Sequence, residues 1–264
     1  MNKRMGKKAV FTGWLILGFL GALFFAPDAQ AYQVKRVITG LVNLGTTVEA
    51  TTIDLVATGK LASGDTINVD KSVLFITRSV TDGANERTVR MHIMAMIDDP
   101  THLLFSRRLA GPAMNIEYAI VEFTADSDVM VYAGMTTVPE TIYYKNITLP
   151  QDVILAKSFP LLTTRTVLAI NGNDEREIFM GELTGTKTLR IDRSDVANSA
   201  NTDLAYQVVA FGAIETDVSA QSGTFIFNNS TGTGETSDLN GTVTVGITSI
   251  DPAKSFLVFT LNPA

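Results

Sequence analysis

Cysteine is absent from this 264-residue chain. That excludes a disulfide framework, thiolate metal sites and a lipid-modified cysteine at an export cleavage site. Small eukaryotic secreted domains usually need disulfide staples, so an exported chain without them reads as a bacterial envelope protein. Tryptophan is nearly absent, and the single one, Trp14, lies in the N-terminal leader. Histidine is scarce, with only His92 and His102. A hydrolytic triad needs a nucleophile, a base and an orienting acid brought together, and no Gly-x-Ser-x-Gly elbow is present to carry the nucleophile. No His-x-x-x-His or His-Glu-x-x-His spacing offers a zinc site. The glycines are dispersed singly, as strand bulges and turns place them, so there is no phosphate loop. No helical stretch of any length and no second segment of transmembrane length follows the leader.

The leader itself has the physics of a secretory signal. Lys3, Arg4, Lys7 and Lys8 precede an uncharged run from Ala9 to Phe25, and Ala29-Gln30-Ala31 supplies small residues for cleavage. Residues 1–31 are therefore read as a signal peptide, with Tyr32 as the first mature residue; the alternative is a retained anchor. Removing them takes four of the 21 basic residues and one of the 27 acidic ones, leaving a net charge of −9. That balance opposes nucleic acid and acidic lipid as partners. The expected location is the cell surface or periplasm of a bacterium, or the exterior.

What is present is a repeat. Lys71-Ser72-Val73-Leu74-Phe75-Ile76-Thr77 returns as Lys157-Ser158-Phe159-Pro160-Leu161-Leu162-Thr163, and again as Lys254-Ser255-Phe256-Leu257-Val258-Phe259-Thr260. Leu103–Arg107 matches Leu189–Arg193 at the same offset of 86, and Tyr118–Phe123 matches Tyr206–Phe211 at 88. Gly40, Gly134 and Gly223 mark an equivalent strand in each copy. One structural unit is thus used several times: residues 32–123, 124–211 and 212–264. The third copy stops after its Lys-Ser strand. Either the reading frame is truncated or another chain supplies the missing strands.

Period-two patterning predicts strands. Val89–Ile97 alternates, and Thr141–Leu149 is rich in β-branched and aromatic residues. Asp82-Gly83 and Asn171-Gly172 read as turns between equivalent strands. Each complete unit is expected to be a small antiparallel β-sandwich of about six strands, making the fold all-β with tandem repeats. Within the Lys-Ser strands, Val73, Phe159 and Phe256 are expected in the cores. Asn228–Gly241 reads as an exposed hairpin loop.

Few residues carry chemistry. His92, on the mixed face of a strand, and His102, in a turn, are expected at the surface. Asn171–Glu175 has calcium-loop composition, but is also an ordinary Asn-Gly turn, and the latter reading is adopted. No catalytic residue, metal ligand or cofactor is assigned. The repeated Lys-Ser pair is read as structural, the lysine stem covering apolar surface with its charge in water. Arg107 and Arg193 end equivalent strands, where a guanidinium fork can meet a carboxylate or sugar hydroxyls; an ion pair or inter-unit contact is the alternative.

The order of these landmarks resembles the H-type lectin domain: a Gly-containing first strand, an apolar strand like the Lys-Ser strand, a hairpin partner, and a final strand with an aromatic followed by small and apolar residues. The resemblance covers residues 32–123 and 124–211. It implies six-stranded antiparallel sandwiches that bind galactose-type sugars and assemble as trimers. That family's final strand usually carries Trp, where Tyr118 and Tyr206 stand here. Arg107, Arg193, Tyr118 and Tyr206 are accordingly the ligand-binding candidates. Two functions are expected from this reading. The first is a non-catalytic module binding a cell-surface glycan, with repeats supplying avidity. The second is a structural subunit of an extracellular assembly such as a surface layer, sheath or appendage. Self-association through the incomplete third copy is expected in either case.

Overall fold

Alternating apolar residues fix two faces on almost every strand, and the described residues form twelve strands in four antiparallel three-stranded sheets. The computed structural model describes residues 34–80, 92–107, 110–111, 113–166, 179–193, 201–213 and 219–220. The leader, both Gly-containing turns, the Asn171–Glu175 candidate, the Asn228–Gly241 loop and nearly all of the third copy lie outside the described residues.

The first unit contains β1 (Val34–Leu44), β2 (Ala50–Asp54), β3 (Ser72–Val80), β4 (Met94–Asp99), β5 (His102–Ser106) and β6 (Met114–Phe123). Sheet A has the order β1-β6-β3, and sheet B has β2-β5-β4. The second unit repeats this strand for strand with β7 (Val129–Val138), β8 (Tyr144–Thr148), β9 (Ser158–Thr166), β10 (Phe179–Gly185), β11 (Thr188–Arg193) and β12 (Thr202–Phe211). Its sheet C is β7-β12-β9 and its sheet D is β10-β11-β8. The all-β tandem-sandwich reading therefore holds.

Each unit has its own core. In the first, Ile38, Val42 and Leu44 of β1 meet Leu74, Leu103, Phe105, Ile116 and Ile120. In the second, Val138, Leu149, Leu189, Ile191, Leu204 and Val208 do the same. Burying an aliphatic or aromatic side chain of this size contributes about 1.5–3 kcal/mol, which makes these clusters the main source of stability.

A third cluster lies between the units. Val73, Val121 and Phe123, on the outer face of sheet A, pack with Val129, Val131 and Val209 of sheet C. Phe75, Phe159, Leu161 and Phe211 border them, and the rings of Phe123 and Phe211 meet edge to face at 6.1 Å. This seam explains why Ala119–Val121 of β6 and Val208–Phe211 of β12 are apolar on consecutive residues. Tyr118–Phe123 is buried on both faces, as a strand covered on two sides must be. It also relocates two expected core residues: Val73 and Phe159 face the neighbouring unit, while Leu74 faces its own sandwich.

Candidate functional site

The repeated residues are the natural place to look for a site, and the structure gives nearly all of them a backbone partner. Ser72 Oγ donates to the Asn68 carbonyl at 2.7 Å, and Ser158 Oγ donates to the Ile154 carbonyl at 2.9 Å. Each serine thereby closes a three-residue 3₁₀ turn, Val69–Lys71 or Leu155–Lys157. The lysine beside it reaches the chain leaving its unit. Lys71 Nζ donates to the carbonyls of Ser127 and Val129 at 2.8 and 2.7 Å. Lys157 Nζ lies 3.3 Å from the carbonyls of Gly212 and Ala213. The ammonium that the sequence reading left in water instead ties down the connection to the next unit.

Two further contacts join the units. Thr163 Oγ1 accepts from the Ala95 amide at 3.0 Å and donates to the Ala95 carbonyl at 2.9 Å. Gln207 does the same to Leu74: Oε1 accepts from its amide at 2.8 Å and Nε2 donates to its carbonyl at 2.9 Å. Leu74 and Ala95 lie on β3 and β4, the outer strands of sheets A and B. Side chains of the second unit thus satisfy edge groups that otherwise invite pairing with another chain. In sheet C, Pro160 stands opposite Val208 where Leu74 stands opposite Ile120. Its missing amide suits an edge strand.

Among the described residues the four ligand-binding candidates share no pocket: Arg107, Arg193 and Tyr118 are buried, and Tyr206 alone is half-buried and borders a cleft. Arg107 is 1% exposed. Its Nε donates to the Val48 carbonyl at 2.9 Å and its Nη2 to the Gly45 carbonyl at 2.6 Å. Arg193 is likewise buried: it donates to the Val138 carbonyl at 3.1 Å and lies over the Phe179 ring. The Arg107 guanidinium holds the loop that follows β1, and the Arg193 guanidinium holds the end of β7. Tyr118 and Tyr206 pair across the sheet with Gly40 and Gly134. Their rings cover these glycines so closely that a Cβ on Gly40 would fall 2.3 Å from Tyr118 Oη, and one on Gly134 would fall 2.6 Å from Tyr206 Oη. The recurring Gly strand and Tyr strand are therefore one feature, an aromatic filling the space above a cross-strand glycine.

The histidines differ from expectation and from each other. His92 is buried, and its Nδ1 is 3.3 Å from Thr164 Oγ1 of the second unit. Burial first, and the Arg78 charge second, lower its pKa to about 4. His102 begins β5, beside the turn from β4, and its Nδ1 is 2.8 Å from Asp99. Asp99 also accepts from the Thr101 amide at 2.7 Å and hydroxyl at 2.9 Å. The amide bond first, then these side-chain bonds, hold Asp99 down at about 2, and Asp99 raises His102. Thr101 and Asp99 meet the same imidazole nitrogen. The arrangement therefore lacks a relay in which the carboxylate holds one nitrogen and the hydroxyl the other.

A cleft of about 290 Å³ opens at the junction, bordered by Asp70, Met96, Asp98 and Asp99 of the first unit and Ala133 and Gln207 of the second. Its carboxylates repel anions. Among the described residues no three histidine or acidic side chains are grouped to hold a metal ion. Comparison with known protein families, characterised proteins and solved structures finds no match.

Proposed function

We propose that this chain is an exported structural subunit of an extracellular assembly, built from sandwich units joined in series. The observation carrying this reading is the use of the retained residues. Lys71 and Lys157 both fasten the exit from their unit, and Thr163 clasps the preceding one. A binding module keeps its ligand contacts from repeat to repeat; here the retained contacts are joints. The buried positions of Arg107 and Arg193 favour the same reading over glycan recognition, because a sugar needs donors that reach solvent.

The test is a paired measurement on the secreted chain: light scattering and electron microscopy across a concentration series, with a glycan array alongside. The expected outcome is concentration-dependent growth into regular assemblies with no saturable glycan signal. A strictly monomeric protein with specific glycan binding overturns the proposal in favour of the lectin-like alternative.

A further inference from the structure

The joint between the two described units has a counterpart one unit further on that no described residue fills. Ala95 pairs with Phe105 in sheet B, and Gly181 pairs with Ile191 in sheet D; both members of the pair shift by 86. Both lie on the outer strand of their sheet, and the shared register gives the Gly181 amide and carbonyl the outward direction that Thr163 reveals at Ala95. At Ala95 both groups are taken by Thr163. At Gly181 no partner beyond β11 occurs among the described residues.

We infer that the open edge of β10 at Gly181 is the docking site for this chain's own C-terminal segment, residues 214–264, with Thr260 clasping Gly181 as Thr163 clasps Ala95. Three observations select this occupant. Lys157 grips the exit from the second unit at Gly212 and Ala213, as Lys71 grips the exit from the first at Ser127 and Val129. The Ala220 amide then donates to the Ala156 carbonyl at 2.6 Å, which lays the outgoing chain against the 3₁₀ turn Leu155–Lys157, as β7 lies against Val69–Lys71. Finally, Thr260 follows Lys254 by six residues, as Thr163 follows Lys157. The Gln207 clasp needs no counterpart, because Pro160 offers no amide where Leu74 does. Tethering favours this segment over a second copy by effective concentration. The inference rests on the serial-joint reading of the repeats.

Hydrogen exchange on the full secreted chain tests it. The Gly181 amide is expected to exchange slowly, and Thr260→Val to accelerate it by about tenfold or more without changing Ile191 or Val208. Thr163→Val is the internal control and should do the same at Ala95. Three outcomes overturn the inference: rapid exchange at Gly181 in the unaltered chain, protection indifferent to Thr260→Val, or protection lost on dilution, which assigns the edge to a second copy. Regular assemblies formed while Gly181 stays unprotected overturn this docking alone and leave the structural role standing.

Discussion

At the level of single residues, close approach and burial decide which positions tolerate change. Gly40→Ala drives a methyl into the Tyr118 ring, and Gly134→Ala does so into Tyr206. Overpacking of this kind costs about 1–3 kcal/mol. Gly45→Ala, whose Cβ meets nothing closer than 3.8 Å, should cost far less; urea denaturation of the three variants checks the order. Arg107→Ala should orphan buried loop carbonyls, at about 1–3 kcal/mol, and lose the packing of the arginine stem as well. His92 provides a pH signature. Its folded pKa of about 4 lies below the ordinary value of 6.5, so the unfolded chain binds the extra proton first. The stability linked to His92 is complete above pH 6.5 and is lost as pH falls toward 4. His102, raised by Asp99, acts in the opposite sense, and its exposure makes the effect small. Urea midpoints between pH 7.5 and 4.5 should fall less steeply in His92→Gln than in the unaltered chain.

At the level of elements, strand type was legible and strand surroundings were not. Period two identifies the Lys-Ser strands, in which Val73 and Phe75 alternate with Leu74 and Ile76. Periodicity separates two faces but cannot say which meets its own sandwich and which meets a neighbour: Val73 is buried as expected, but in the seam between units, and Phe159 borders the same seam. The unbroken apolar run from Ala119 to Val121 carried the missing signal, since a strand bounded by solvent on one side alternates. Lys71 was misjudged for a related reason: a lysine opening a strand snorkels when nothing follows it, and here a connecting segment of five residues, 124–128, brings carbonyls within reach. Arg107 and Arg193 were recognised as equivalent, but spacing cannot distinguish a fork aimed at a ligand from one aimed at a loop. Tyr118 and Gly40 were noted separately, and only the register joins them. Lys71→Met is expected to loosen the joint while leaving both cores intact. Limited proteolysis should then cut within 124–128 faster than in the unaltered chain, with the far-ultraviolet spectrum unchanged.

At the level of the whole molecule, the account rests on rigidity between units. The seam cluster, the two side-chain clasps and the lysine tie act on one junction. Together they tie the first unit to the second across the short polar connection 124–128. Rigid serial joints are what an extended assembly requires, whereas beads on a flexible string serve avidity in a binding protein. Nitrogen-15 relaxation of the full chain tests this most directly. The account predicts one rotational correlation time shared by residues 34–123 and 129–211, separating into two shorter ones when Thr163→Val and Gln207→Leu are combined. Independent tumbling of the two units in the unaltered chain would contradict it.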